Sequence, residues 1–293
     1  MPNAITHSLI AQDAALRLPR IYADMPAAAP EYYFVGSQGG DPLFFYKPLS
    51  KKETNFGKFV HRYRVYELFC AMRDYLITLS GEELKKARAY CLGYITHYST
   101  DVCFHPFVYN LIARVKSKKS VHFQVENDWD VYFLRTRTGH EAEHYTFPFS
   151  PRTLIEEGVL YRLFQALAAA LGRRELSERA LSRAWKNYGR YLKVFHGNCY
   201  EQSARLSKFG KAFKNLARMY PRRTPAKNVI EGEDFLHLSE GRGANADELF
   251  ERAVSDSARR MILFLAALDG APLPKEEFNF HLLTGKEAEQ IPK

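Results

Sequence analysis

The stretch from residue 97 to residue 105 reads HYSTDVCFH and places His97, Asp101 and His105 at intervals of four residues. On an α-helix, side chains four residues apart lie above one another on the same face. Further along the chain, His122 and Glu126 repeat this interval. Two helices could therefore aim three imidazoles and two carboxylates at one point in space.

Imidazole and carboxylate groups are the ligands of zinc sites that keep a position open for water, whereas thiolates dominate closed structural sites. The chain has four cysteines, and none of them fits the four-residue pattern. They form no CxxC pair, which is typical of free thiols in a reducing compartment. The pattern therefore indicates a catalytic zinc site.

Three residues nearer the N-terminus are further candidate ligands, namely His7, Asp41 and His61. Asp41 lies on a glycine-rich stretch that we expect to be a loop, which can bring a carboxylate close to helix ends. Eight candidate ligands in all are too many for one tetrahedral zinc and suit two or three ions. Clustered zinc ions suit phosphoryl chemistry, and a carboxylate such as Asp101 could bridge two of them.

Composition limits the class of protein. The chain has 293 residues, 46% of them hydrophobic, which is enough for a substantial core and excludes wholesale disorder. The formal net charge of +9 favours anionic partners such as phosphate esters, nucleic acid or an acidic membrane surface. We find no secretory signal and no transmembrane segment, and we expect a cytoplasmic protein.

Helical apolar spacing recurs along the chain, and strand-like alternation is nearly absent. It predicts helices over 5–18, 51–79, 80–105, 120–134, 153–171, 176–195, 198–220 and 246–268. Ser80 and Glu83 predict a capping box, and Pro106 predicts a break or kink. We expect one all-α domain over 1–293, with the metal ligands in 1–135 and additional packing helices in 150–293.

Short motifs, in a fixed order, resemble those of the zinc-dependent phospholipase C family. They are Thr6-His7-Ser8, Gly39-Gly40-Asp41-Pro42, His61, His97-Tyr98-Ser99-Thr100-Asp101, His105-Pro106 and His122-x3-Glu126. The resemblance covers roughly residues 5–135 and extends distantly to fungal single-strand-specific nucleases. It implies an all-α, multi-helix fold with a trinuclear zinc cluster in a cleft.

The resemblance also implies a role for each candidate ligand. The residues divide among three zinc ions: Asp41, His61, His97 and Asp101 at the first, His105, His122 and Glu126 at the second, and His7 with a bridging Asp101 at the third. Asp41 is also the position proposed as general base in the family.

Two features depart from the secreted members of the family. Those members begin with a tryptophan whose amino group and carbonyl bind the third zinc, whereas this chain starts Met1-Pro2. Removal of Met1 would let the Pro2 nitrogen take that place. The gap from Asp101 to His105 is shorter than in the secreted enzymes. Its length resembles that found in an uncharacterised intracellular bacterial branch of the family.

Other polar clusters have simpler interpretations. His140 and His144 have ligand spacing, but the polar residues before them favour a solvated loop. The segment 205–227 carries eight basic and no acidic residues, which suits a phosphate-rich substrate or a membrane. The favoured alternative is an amphipathic helix with Phe209, Phe213 and Leu216 in the core.

We therefore predict a zinc-dependent phosphodiester hydrolase resembling phospholipase C, in which zinc-bound hydroxide attacks phosphorus. Phospholipid is one candidate substrate, and peripheral membrane contact is compatible with this activity. Two alternatives stay open: a non-catalytic helical protein that keeps the metals for stability, and a nuclease-like phosphodiesterase, which the net charge favours. No protein partner is implied.

Overall fold

Helices form nearly all the regular structure. A computed structural model of the chain describes residues 4–46, 56–113, 118–150, 157–173, 176–209, 211–231 and 245–287. Within these ranges the only β-pairing is an isolated bridge between Phe280 and Glu287, which confirms the all-α class. The Pro2 nitrogen lies outside the described residues.

The α-helices differ widely in length. In chain order they are α1 (Ala4–Leu16), α2 (Asp24–Ala27), α3 (Pro30–Gly36), α4 (Phe56–Val60), α5 (Val65–Leu76), α6 (Gly81–Ile112), α7 (Lys118–Thr138), α8 (Val159–Ala170), α9 (Glu178–His196), α10 (Cys199–Ser207), α11 (Lys211–Ala217), α12 (Lys227–Glu231), α13 (Ala246–Leu268) and α14 (Lys275–Phe278). Two 3₁₀ turns lie at Asp41–Phe45 and Ala142–His144. None of the helices in the described ranges has the length and apolar content needed to cross a bilayer.

Helix α6 is the central element, and α1, α3 and α13 all pack against it. Two glycines allow α3 and α6 to approach closely. A Cβ at Gly93 would lie 2.0 Å from the Tyr33 carbonyl oxygen, and one at Gly36 would lie 2.2 Å from the Tyr90 carbonyl oxygen. Only glycine fits such contacts. The chain after α3, which carries Asp41, is thereby held close to α6.

Of the two outcomes predicted at Pro106, a break or a kink, the break is wrong, because α6 runs through this proline to Ile112. Proline leaves the carbonyl four residues earlier without its helical donor. That carbonyl belongs to Val102, and the C-terminal segment packs over it, since a Cβ at Gly285 would lie 3.1 Å from its oxygen. The predicted capping box also does not form: Ser80 precedes α6, but its side chain makes no capping hydrogen bond.

The single helix predicted over 51–79 is two helices in the structure, and its first five residues lie outside the described ranges. Helices α4 and α5 are separated by Arg64, which has a left-handed backbone conformation with φ of 53°. Its guanidinium donates a hydrogen bond of 2.8 Å to the Leu171 carbonyl. This long-range contact helps to stabilise the break between α4 and α5. His61 lies within that break.

The later helices follow the predictions more closely. Helix α13 has the predicted bounds, and a capping box between Asn245 and Glu248 starts it. The helix predicted over 198–220 is divided into α10 and α11. The expectation that Phe209, Phe213 and Leu216 pack into the core is wrong, because they are 54%, 50% and 39% exposed.

Candidate metal centre

One buried face of α6 carries three candidate ligands. His97 is fully buried, Asp101 is 3% exposed and His105 is 7% exposed, although all three side chains are strongly polar. Burial of ionisable groups costs free energy unless they are paired or bind a cation. The four-residue intervals give these side chains a common direction, as expected for an α-helix.

The first group of ligand atoms joins three separate parts of the chain. Asp41 begins a 3₁₀ turn rather than lying in an irregular loop, and its Oδ1 is 3.1 Å from His61 Nε2. His61 Nε2 is in turn 3.3 Å from His97 Nε2. The three side chains offer donor atoms within 4.8 Å of one another.

Asp101 lies between this group and the rest of the cluster. Its Oδ1 is 3.4 Å from His7 Nε2, while its Oδ2 is 3.4 Å from His97 Nε2 and 3.7 Å from His61 Nε2. The Nδ1 of His105 is 3.6 Å from the same Oδ2. The two carboxylate oxygens therefore face different imidazoles, which is the arrangement that a bridging carboxylate needs.

A further group forms where α6 meets α7. Glu126 Oε1 lies 3.4 Å from His105 Nε2 and 2.9 Å from His122 Nε2. Glu126 is 1% exposed, whereas the His122 side chain is 14% exposed. The eight side chains singled out in the sequence are thus brought together in three adjoining groups, and Asp101 and His97 link two of them.

Backbone carbonyls orient two of the imidazoles. His61 Nδ1 lies 2.6 Å from the Gly57 oxygen, and His105 Nδ1 lies 2.8 Å from the Leu282 oxygen. A proton on each Nδ1 satisfies these contacts and leaves the Nε2 lone pair directed at the cluster, as in many metal sites. The contribution of Leu282 was missed in the sequence, because nothing in the local pattern marks a carbonyl 177 positions from His105.

Glycines bring the Asp41 turn against the imidazoles. Gly39 has a φ of +54°, and a Cβ there would lie 2.0 Å from Cδ2 of His97. At Gly40 an added Cβ would lie 3.0 Å from Cε1 of His61. The glycine pair before Asp41 is therefore a steric requirement of the site as well as a turn signal.

The pKa values of several side chains in the cluster are shifted towards the protonation states that favour cation binding. Burial alone would raise the pKa of Asp101, but its electrostatic interactions with His105 and then His97 lower it well below its usual range. Asp41 behaves similarly, because its hydrogen bond with His61 lowers its pKa against the effect of burial. Burial lowers the pKa of His97 to about 3 despite the nearby Asp101 carboxylate. Ionised carboxylates and a neutral imidazole are the states that bind metal ions.

The pKa of His105 shifts upwards, in the opposite direction to that of His97. Burial would lower its pKa, but the carboxylates of Asp101 and Glu126 raise it to about 9. A cation bound at this position would have to displace that proton, so binding there would release a proton into solution.

The donor spacing fits zinc. Neighbouring donor atoms in the three groups are 2.9–3.7 Å apart. Tetrahedral zinc with bonds of about 2.0–2.2 Å separates its ligand atoms by roughly 3.3–3.6 Å. Nitrogen and oxygen donors without sulfur are also the set expected of zinc sites that keep an open position.

Several aromatic residues near the ligands in sequence face elsewhere. Tyr98 accepts a hydrogen bond of 2.9 Å from the Phe280 backbone N–H, and Trp129 donates one of 3.1 Å to the Val229 carbonyl. Both side chains are fully buried in the core. By contrast, the Phe44 ring is 5.0 Å from that of His61, and the Tyr109 ring is 5.5 Å from that of His122.

The exposed pair His140 and His144 belongs to none of the candidate metal groups among the described residues. His144 lies in the 3₁₀ turn Ala142–His144, and His140 precedes that turn. This placement agrees with the solvated segment that the sequence favours.

Comparison with known proteins places this arrangement in a family. Residues 6–177 match the family described as zinc dependent phospholipase C, which is more than half of the chain and includes all the candidate ligands. No curated protein and no solved structure matches the chain. The chain therefore belongs to the zinc-dependent phospholipase C family.

Proposed function

We propose that this protein is a zinc-dependent phosphoric diester hydrolase of the phospholipase C type. The observation that carries the proposal is the position of Asp101, whose two carboxylate oxygens lie 3.4–3.7 Å from nitrogens of four histidines. A buried carboxylate shared among imidazoles suits a cluster of cations, which is the arrangement used for phosphoryl chemistry.

The assignment of ligands follows the family resemblance, and it differs from the donor groups only in placing Asp101 with Asp41, His61 and His97 and in leaving His97 out of the group of His7. We assign Asp41, His61, His97 and Asp101 to one zinc, His105, His122 and Glu126 to a second, and His7 with Asp101 to a third. Zinc bound there would supply Lewis acidity towards a phosphate oxygen and lower the pKa of water. The third position has the fewest ligands among the described residues, so its occupancy depends on further donors.

We assign to Asp41 the task of orienting the attacking water and accepting its proton. Three carboxylates face the cluster, and the Asp41 side chain is the most exposed, at 11% against 4% for Asp101 and 1% for Glu126. Water reaches this carboxylate more readily than the other two. Its lowered pKa keeps it ionised and able to accept a hydrogen bond from that water near neutral pH.

We expect a phospholipid head group as the substrate. Family membership favours a lipid phosphodiester. Phe44 beside His61 and Tyr109 beside His122 are partly exposed aromatic rings that could hold apolar parts of such a molecule. The net charge of +9 also favours single-stranded nucleic acid, which is the second candidate substrate.

Zinc content and turnover of His97→Ala and Asp101→Asn test the proposal together. We expect both variants to lose zinc and to lose hydrolysis of phosphatidylcholine and of bis(p-nitrophenyl) phosphate. His140→Ala/His144→Ala is the matched control, because these histidines are exposed and lie outside the candidate metal groups. Full activity in either ligand variant would refute the mechanism. Full zinc occupancy without turnover in the unaltered protein would instead support a structural role for the metals.

The choice of substrate needs a separate comparison. Phosphatidylcholine and a single-stranded oligonucleotide can be offered to the same zinc-loaded preparation. Faster cleavage of the lipid supports the phospholipase assignment, whereas cleavage of the oligonucleotide alone would replace it with a nuclease.

A further inference from the structure

Helix α11 and Phe209, which follows α10, carry an exposed apolar cluster. Phe209 is 54% exposed, Phe213 is 50% exposed and Leu216 is 39% exposed. The two phenylalanine rings contact each other, with centroids 5.5 Å apart. Exposed large apolar residues that cluster in this way often mark a binding surface. We call these three residues the apolar tip.

Cations lie next to the apolar tip along the chain, since Lys208 directly precedes Phe209 and Lys214 directly follows Phe213. Arg205, Lys208 and Lys214 are exposed, and none of them forms an ion pair within the part of the chain that the structure describes. Among the other cations of the segment 205–227, Arg222 pairs with Asp128 and Lys227 pairs with Glu231. The segment contains no acidic residue, so its own contribution to the surface charge is positive.

A basic cavity adjoins the same helices. Its volume is about 490 Å³, and its lining includes Lys214, Arg218 and Arg223 together with the hydroxyl residues Ser203 and Ser207. The lining has four cations, of which Arg222 pairs with Asp128, and the other three together with the hydroxyl residues form a set that suits phosphate oxygens. The cavity therefore offers a place for an anionic head group next to the apolar tip.

The position of this surface relates it to the metal centre. Arg218 donates a hydrogen bond of 3.1 Å to Ser120 Oγ, and its carbonyl accepts one of 3.2 Å from Asn127. Ser120 and Asn127 flank His122 and Glu126 on α7. A partner bound at the apolar tip would thus lie beside the helix that supplies ligands to the cluster.

We propose that the apolar tip and its surrounding lysines and arginine dock on an anionic phospholipid bilayer. The phenylalanines and Leu216 would enter the interfacial region, while Arg205, Lys208 and Lys214 would contact lipid phosphates. A bilayer is favoured over nucleic acid because Leu216 adds an exposed aliphatic side chain, which suits the interfacial region of a membrane and on which a base cannot stack. Docking of this kind does not depend on hydrolysis.

Vesicle sedimentation with the full chain tests the proposal. Vesicles of phosphatidylcholine with phosphatidylglycerol should bind the protein more tightly than vesicles of phosphatidylcholine alone. Phe209→Ser/Phe213→Ser should weaken binding to the anionic vesicles about tenfold or more, and Lys208→Glu/Lys214→Glu should do the same. Circular dichroism should show unchanged helicity, because these side chains are exposed.

Matched controls distinguish binding through this surface from non-specific binding to vesicles. Leu16→Ser/Ile21→Ser removes side chains that are 80% and 75% exposed but lie outside the apolar tip. Arg20→Glu/Lys275→Glu makes the same change in charge at exposed positions elsewhere. Both controls should bind anionic vesicles like the unaltered protein.

Four results would overturn the proposal. The first is a failure of the unaltered protein to bind anionic vesicles, and the second is equal weakening by the control variants. The third is a dimer in solution that Phe209→Ser/Phe213→Ser converts to a monomer, with no vesicle binding, since the apolar tip would then bind a second copy. Retention of a single-stranded oligonucleotide in place of vesicles would likewise assign the surface to nucleic acid.

Discussion

Asp130 of α7 accepts a hydrogen bond of 2.7 Å from the hydroxyl of Thr6 in α1, the residue directly before His7. The same carboxyl group accepts the backbone N–H of Thr6 at 2.8 Å and that of Ile5 at 3.3 Å. Burial raises the pKa of Asp130 to about 8 against the opposing effect of these bonds. The start of α1 is therefore fixed to the helix that carries His122 and Glu126, which sets the position of His7.

Thr6→Val tests this link, because valine keeps the shape of threonine but removes the hydroxyl. We expect the free energy of unfolding to fall by about 1–2 kcal/mol, since a buried carboxyl group loses one of its donors. Urea denaturation measures the change. Thr136→Val is the control: its exposed hydroxyl bonds within its own helix, to the Tyr132 carbonyl, and its loss should cost less than about 0.5 kcal/mol. An equal cost at the two positions would contradict the link.

Gly39→Ala should displace His97. A Cβ at this position would lie 2.0 Å from the imidazole, and the φ of +54° adds backbone strain. We expect a loss of about 3 kcal/mol or more in the free energy of unfolding, together with reduced zinc content. Gly139→Ala provides the comparison, because its φ of +73° is also left-handed but no heavy atom lies within 4 Å. It should cost about 1 kcal/mol and leave zinc content unchanged. Similar zinc loss in both variants would rule out the steric explanation.

Because the His196 side chain is buried, we predict a loss of stability in acid. Burial lowers the pKa of His196 to about 4 from its ordinary value of 6.5, and the side chain packs against Phe147. Between these values the unfolded chain binds a proton that the folded protein does not, so stability falls as the pH drops below 6.5. The shift corresponds to about 3 kcal/mol at full effect.

Urea denaturation at several pH values between 4 and 7 measures this contribution. His196→Leu removes the titrating group, so the variant should lose less stability on acidification than the unaltered protein does. Parallel pH profiles for the two proteins would show that His196 contributes nothing to acid sensitivity.

Removal of zinc should destabilise the protein. A ligand that binds only the folded state at a concentration of 100 times its Kd contributes about 2.7 kcal/mol for each site. Thermal denaturation with excess zinc and with a chelator should therefore give clearly separated midpoints. Asp101→Asn should reduce the difference between the two midpoints, because Asp101 lies against three imidazole Nε2 atoms. The control His140→Ala/His144→Ala should show the same difference between midpoints as the unaltered protein. Coincident midpoints in the unaltered protein would mean that the cluster holds no zinc.

The periodic parts of the fold could be predicted from sequence. Helix α13 has the predicted bounds because its apolar spacing, its acidic first turn and its capping residue all agree. The region 51–79 could not be predicted as well, because Arg64 adopts a left-handed conformation that arginine disfavours and that a distant carbonyl helps to hold. As a signal for a break, Pro106 was misleading for the same reason, since the accommodation of a proline within a packed helix depends on neighbours far away in sequence.

The set of candidate ligands is partly a property of the sequence and partly one of the tertiary structure. The four-residue intervals by themselves determined that His97, Asp101 and His105 share one face, and that His122 and Glu126 share another, because helical geometry depends only on local spacing. Only the packing of α1, α6, α7 and the Asp41 turn decided that these faces meet. The same holds for the Leu282 carbonyl at His105 and for Asp130 at Thr6, since contacts between remote segments depend on the whole core rather than on any local pattern.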